Sequence, residues 1–305
     1  MAPTDLTVKL GALELRSPLI AASGTVGSVW EWAEVADASV YGAAVAKSVS
    51  AEPWTGNPIP RVAPTATGML NAIGIQNPGI EAWIDGVGGR ISKLNVPVWG
   101  SAVGGDTEEF ARVAKGLQSA GVAAIEVNLS CPNLEDGEMF SFDSQRSAAV
   151  LAAVNSVVDV PVGAKLSPNT PDVVGVAAAC DEAGAAFAVL TNTALGYGIS
   201  LDDRRPLLSR GTGGYSGAGL KPIALRCVYE VANALPDLPI VGSGGIQSGA
   251  DVLEYMIVGA SAVALGTVHL AEPKAGRRIT GELRREMERH GVDTLSDVIG
   301  TVRSW

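Results

Sequence analysis

Ala123-Ala124-Ile125-Glu126-Val127-Asn128-Leu129-Ser130-Cys131-Pro132-Asn133 is the stretch on which the reading of the chain turns. Its first half is a short apolar run with the length of a core strand, and Pro132 stops simple continuation as strand or helix. The thiol of Cys131 is therefore expected on a loop at a strand end, between two asparagines. A thiolate is a strong nucleophile and one of the few side-chain bases near neutral pH, while asparagine amides offer uncharged donors and acceptors. Together they suit a polar, planar ligand. The bland alternative is a small buried hydrophobe beside turn-forming residues, and the rest of the chain has to decide between the two.

The same unit recurs on both sides of this stretch. Apolar runs at 19–22, 43–46, 98–100, 124–127, 162–164, 186–190, 240–242 and 262–265 alternate with amphipathic stretches, which predicts repeated βα units around a parallel sheet. Eight such units in 305 residues predict one TIM (β/α)8 barrel, a single domain over 1–305 with loop insertions over its C-terminal face. Thr107 is read as the cap of a helix with Glu108 and Glu109 in its first turn and Phe110, Val113, Ala114 and Leu117 on one face.

The residues after each strand are more telling than the strands. The ends carry Ser23-Gly24, Lys47-Ser48, Ser101, Asn128 with Cys131, Lys165, Asn192-Thr193, Gly244-Gly245 and Gly266-Thr267. In a closed barrel these ends converge on the face where chemistry is done. An ammonium beside a barrel core needs an anionic or electron-rich partner to offset desolvation, so Lys47 and Lys165 together argue for a ligand. Gly244-Gly245 and Gly266-Thr267, with a helix capped by Ser248 and Asp251, would present backbone amides to a phosphate. Gly213-Gly214-Tyr215-Ser216-Gly217 is read as a long flexible loop over the same face.

Composition narrows the chemistry. The sequence is 47% apolar, which excludes disorder, and its net charge of −10 argues against a nucleic-acid ligand. Cys131, Cys180 and Cys227 lie far apart without a CxxC pair, so neither a disulfide framework nor a metal site is expected, and Cys180 and Cys227 fall on apolar helical stripes. His269 and His290 lie outside any recognisable motif and are read as incidental. There is no GxSxG elbow, no phosphate loop of the GxxxxGK[ST] type and no GxGxxG after a strand. No apolar run reaches membrane-spanning length and no leader pattern opens the chain, so a cytoplasmic protein without membrane attachment is expected.

These residues, with Ala22-Ser23-Gly24-Thr25, Asn57-Pro58-Ile59-Pro60-Arg61, Gly68-Met69-Leu70-Asn71-Ala72-Ile73-Gly74-Ile75-Gln76-Asn77-Pro78-Gly79, Lys165-Leu166-Ser167-Pro168-Asn169, Thr191-Asn192-Thr193 and Gly217, carry a family resemblance over nearly the full length. The chain resembles the soluble, cysteine-dependent dihydroorotate dehydrogenases, most of all the NAD-linked type whose catalytic subunit binds FMN. The resemblance implies oxidation of dihydroorotate to orotate in pyrimidine biosynthesis, with Cys131 as base and FMN as hydride acceptor. It assigns Ser23, Gly24, Lys47, Ser48, Ser101, Asn128, Lys165, Thr191, Gly217, Gly244, Gly245, Gly266 and Thr267 to FMN. To dihydroorotate and orotate it assigns Lys47, Asn71, Ala72, Ile73, Gly74, Ile75, Asn128, Asn133, Asn192 and Thr193.

It further implies a homodimer working with an electron-transfer subunit that carries FAD and an iron-sulfur cluster and passes electrons to NAD. Other readings are a fumarate-dependent dihydroorotate dehydrogenase, a flavin-dependent dihydropyrimidine dehydrogenase acting on uracil or thymine, and a flavin-free barrel that binds a phosphorylated ligand. The sequence departs from the NAD-linked pattern at Ser101, where asparagine is usual, in the acidic segment Leu134-Glu135-Asp136-Gly137-Glu138-Met139-Phe140, and at Gly214-Tyr215-Ser216-Gly217-Ala218-Gly219.

Overall fold

The computed structural model describes residues 5–87, 89–129 and 139–305; Cys131, Asn133 and the acidic positions 134–138 lie outside the described residues. Eight parallel strands close into a barrel in chain order: β1 (Leu19–Ala21), β2 (Ala43–Val45), β3 (Val98–Ala102), β4 (Ala124–Asn128), β5 (Val162–Leu166), β6 (Phe187–Leu190), β7 (Ile240–Ser243) and β8 (Ala262–Leu265). This is the TIM barrel, with the eight strands where the apolar runs place them.

Four strands run further than the apolar pattern suggests, β3, β4, β5 and, by Ser243 alone, β7. Ser101 pairs with Glu126, and Asn128 with Lys165, inside the ladders of β3, β4 and β5. A polar side chain at an inward position does not interrupt backbone pairing, so these residues belong to the strands and not to the start of loops.

Alternation along the strands separates two environments. One set of side chains meets the surrounding helices: Gly100 leaves space for Leu117, and Gly242 for Tyr255. The other set fills the barrel, where the rings of Trp99 and Phe187 lie 4.9 Å apart and Gly163 makes room for Phe187. Parallel strands buried on both faces need this continuous apolar content. The helices supply the outer wall through one apolar face each. In Thr107–Ser119 the buried residues are Phe110, Val113, Ala114 and Leu117, each fully buried large side chain contributing about 1.5–3 kcal/mol. The cap of that helix is Asp106, whose Oδ1 accepts from Glu109 N at 2.9 Å, and not Thr107. A carboxylate at this end satisfies the amide and also meets the positive end of the helix dipole.

Two further sheets close the barrel at opposite ends. A hairpin of Val8–Leu10 and Leu13–Leu15 turns at Gly11 (φ +58°) against Pro239 and Ala186, at the N-terminal ends of β7 and β6, and buries Val8, Leu10 and Leu15 in the main core. Over the C-terminal ends lies a four-stranded antiparallel sheet in the order Ala194–Tyr197, Thr212–Ser216, Gly68–Asn71, Val62–Thr65. Residues 213–216 of the expected flexible loop 213–217 thus belong to a strand, Thr212–Ser216, paired on both sides. Gly213 and Gly214 have no side chains there because Asn71 and Thr193 close in on them. Among the described residues no helix is long and apolar enough to cross a membrane.

Candidate active site

Between the barrel mouth and the upper sheet lies a cavity of about 400 Å³. The structure brings to its wall Ser23, Gly24, Lys47, Ser48, Asn71, Ile73, Gly74, Ile75, Asn128, Lys165, Thr191, Asn192, Thr193, Gly217, Gly244, Gly245, Gly266 and Thr267. Two expected residues are not on the wall. Ala72 is fully buried, its amide donating to Arg61 O and its carbonyl accepting from Asn57 Nδ2. Ser101 is buried behind Ser48, the two hydroxyls 2.8 Å apart.

On one flank the wall is made of side chains. Asn128 Nδ2 donates to Ser48 Oγ at 3.3 Å, and Asn192 Nδ2 to Asn128 Oδ1 at 3.5 Å. Asn192 Oδ1 in turn accepts from Thr193 N at 2.8 Å. Ser101, Ser48, Asn128, Asn192 and Thr193 therefore form one connected run of hydroxyls and amides across the ends of β2 to β6. Asn71 is set by donating to Gly214 O at 3.3 Å. The segment after Asn71 is pinned from below: Asn77 Nδ2 donates to Ile75 O at 2.7 Å, while its Oδ1 accepts from Ser50 N and Gly79 N. Ile75 has φ 53°, a region a β-branched residue enters at a cost of about 1–3 kcal/mol, so these bonds hold a strained backbone against the cavity.

Beneath the same flank, Lys165 Nζ stands 3.3 Å from Glu126 Oε1. Lys165 is only 7% exposed and Glu126 2%, and among the described residues they are the sole Asp, Glu, Lys or Arg in the buried set. Glu126 is a site residue that reading by motif misses. Its signal was there: a lone carboxylate in an apolar strand, two positions before Asn128 and so on the same side of the strand.

The opposite flank, at the ends of β7 and β8, is made of backbone. Among the described residues the amides of Gly244, Gly245, Gly266 and Thr267 meet no acceptor. Gly245 (φ +70°) has Gly217 O and the backbone of Lys221 so close that a Cβ would sit about 2.8–2.9 Å from them. Thr267 Oγ1 donates to Ser216 Oγ at 2.8 Å, tying this flank to the upper sheet. The helix Gly249–Ile257 is capped as expected by Ser248 and Asp251, but the capping box consumes its own donors: the amides of Gln247 and Ser248 both go to Asp251 Oδ2. Burial pushes the Asp251 carboxyl up, yet Lys221 Nζ and these amide and hydroxyl donors outweigh it and hold the group below its ordinary value. The open donors are therefore those of the glycine ends and not those of the helix.

His269 is not incidental. It is buried two residues after Thr267, its Nε2 2.8 Å from Tyr41 Oη and its Nδ1 3.2 Å from Thr25 Oγ1, and burial lowers its pKa to about 4. A histidine in no motif gave no sequence signal for this contact, because it joins residues 228 and 244 positions apart. His290 stays at the surface beside Glu286. Cys180 and Cys227 are buried in helices, as their stripes suggest, and burial raises the Cys180 thiol to about 12.

The family model for dihydroorotate dehydrogenase matches residues 5–287. The chain belongs to the dihydroorotate dehydrogenase family. It is 42% identical over 304 residues to the dihydroorotate dehydrogenase B (NAD(+)) catalytic subunit of Geobacter sp. strain M21, covering 99% of each chain. It is 43% identical over 300 residues to the protein of the same name from Pelobacter propionicus, covering 98% of each. The fold is shared with DHODH from Eimeria tenella, solved with ferulenol, at a TM-score of 0.83 and 20% identity, over 97% of this chain and 88% of that one. Dihydroorotate dehydrogenases are flavoproteins and oxidoreductases of CH-CH groups.

Proposed function

We propose that the protein oxidises dihydroorotate to orotate in pyrimidine biosynthesis, with FMN as its cofactor and Cys131 as its base. The observation that carries this reading is the division of one cavity into an amide-lined flank over two lysines and a flank of open backbone amides. A pyrimidine ring edge alternates carbonyl acceptors with N-H donors, which the side chains of Asn71, Asn128 and Asn192 can match without charge.

The cavity also fits a flavin mononucleotide. Thr191 Oγ1 is buried on its wall with no partner among the described residues, and the unpartnered amides of Gly244, Gly245, Gly266 and Thr267 suit a phosphate. Gly24 (φ +87°) faces open space where a side chain would intrude. Ser23, Ser48, Thr191 and Gly217 would hold the rest of the cofactor, with Ser101 acting through Ser48. When bound, FMN supplies the hydride acceptor.

The chain's own residues do the remainder. Oxidation of the substrate removes a proton from the carbon beside a carbonyl, and the Cys131 thiolate takes it. Asn71, Asn128, Asn133, Asn192 and Thr193, with the backbone of residues 72–75, orient the ring so that this proton faces the thiol. Lys47 serves the substrate carboxylate and the cofactor. Lys165, on the cavity wall, would supply a fixed cation to the cofactor as it gains negative charge. A partner subunit carrying FAD and an iron-sulfur cluster would supply the route to NAD, with the catalytic chain as a homodimer in the cytoplasm.

Purified protein should be yellow, and anaerobic dihydroorotate should bleach it. A colourless protein that binds no added FMN, or a flavin that dihydroorotate leaves oxidised, defeats this reading. Reoxidation by NAD only with the partner present fits the NAD-linked type; reoxidation by fumarate alone replaces that part of the proposal.

A further inference from the structure

We infer that Glu126 is a positioning residue for Lys165 that also attenuates its charge, and so sets how strongly the site favours reduced flavin. The inference rests on the reading of the cavity as an FMN site. Lys165 and Lys47 are the only charged residues on the described wall, and Lys165 is the buried one. Behind it, away from the wall, stands Glu126, with its Oε1 3.3 Å from Nζ. Both side chains are held by strand backbone on either side: Glu126 is paired with Ser101 and Gly163, Lys165 with Asn128 and Val189.

The pair acts on both the position and the charge of the ammonium. A lysine stem has several rotatable bonds and about 2 kcal/mol of rotamer entropy, so an unanchored ammonium would sample several positions under the cavity. Glu126 gives it one. A carboxylate so close in a water-poor interior also cancels much of the field that the ammonium projects onto anything above it. Reduced flavin carries negative charge near its ring edge, so the more of that field survives, the more the reduced form is favoured. A bare buried lysine would over-stabilise reduced flavin and slow its reoxidation; the pair tempers this while keeping the cation in place.

Glu126→Gln separates charge from position, since the amide oxygen still accepts from Nζ in nearly the same volume. In the intact flavin-loaded protein, the midpoint potential measured spectroelectrochemically is expected to move positive, favouring reduced flavin about tenfold, or about 30 mV for a two-electron couple. Glu126→Asp, which keeps the charge, should move it by less than Gln does. Lys165→Gln should move it negative, and Lys165→Gln/Glu126→Gln should return it toward the parent value, which keeps the test open if the single Glu126 variant does not fold. A change below threefold or a negative shift in Glu126→Gln, or a double variant no closer to the parent than Lys165→Gln, overturns the inference. Absence of flavin from the parent protein defeats the FMN reading as well, whereas a flavin of unaltered potential defeats this inference alone.

Discussion

The two flanks of the barrel mouth solve recognition in different ways. At the ends of β2 to β6 the wall is built of side chains whose bonds run through one another, from Ser101 to Ser48, Asn128, Asn192 and Thr193. At the ends of β7 and β8 it is built of main chain, with glycines that bring amides to the surface and few side chains that reach in. Side-chain amides discriminate between ring edges and can be tuned one residue at a time. Backbone amides suit a phosphate, a group whose identity does not vary, and at Gly244 and Gly245 the surroundings leave no room for a Cβ. On the proposed function, specificity and anchoring are kept on opposite sides of the same cavity.

The largest test of that division is Cys131→Ala. A positioned base contributes about 10²–10⁴-fold, so dihydroorotate oxidation should fall by that order at neutral pH while the flavin spectrum is retained. Flavin loss in this variant would mean that chemistry and anchoring are not separable. The backbone flank should instead be sensitive to acid through His269. Its folded pKa, about 4, lies below the ordinary 6.5, so the unfolded chain binds the proton more readily and stability falls as pH drops from 6.5 toward 4. The full loss is about 3 kcal/mol, and His269→Gln should flatten the dependence of thermal melting on pH over that window.

Gly245→Ala should cost about 2 kcal/mol in stability, because a Cβ at φ +70° meets Gly217 O and Lys221 backbone, and it should weaken flavin retention with it. Asn192→Ala should do the reverse, raising the KM for dihydroorotate about tenfold and leaving flavin affinity unchanged, the expected loss from a hydrogen bond worth about 1–1.5 kcal/mol. Equal effects of these two variants on flavin binding would erase the distinction between the flanks. Smallest is Ser101→Ala: Ser48 keeps Asn128 as a partner, so a change of at most about fivefold in kcat/KM is expected.

Much of this was legible in the chain. The eight apolar runs and their polar or glycine ends foretold the barrel and its working face, since strand formation and its termination are local matters of hydrophobicity, proline and glycine. The limits were equally physical. Strands β3, β4 and β5 extend through Ser101, Asn128 and Lys165 because ladder hydrogen bonds ignore side-chain polarity, which an apolar pattern cannot register. The strand Thr212–Ser216 looked like a loop because three small residues carry no hydrophobic signal, and only its two neighbours make it extended. Ala72 reads as one of a wall-forming run, yet its neighbours turn it into the interior. His269 and Glu126 had no motif to announce them.

Local periodicity and the closure of parallel strands are enough to say which residue types stand at each strand end, and hence that amides, two lysines and glycine pairs belong to one face. Those properties are written in the chain. Which of these groups touch is settled in three dimensions alone. Folding put Glu126 under Lys165, linked Ser101 to the cavity through Ser48 and left the glycine amides open. Hydrogen bonds and ion pairs depend on ångström distances between residues far apart in the chain, and strand register and barrel closure set those.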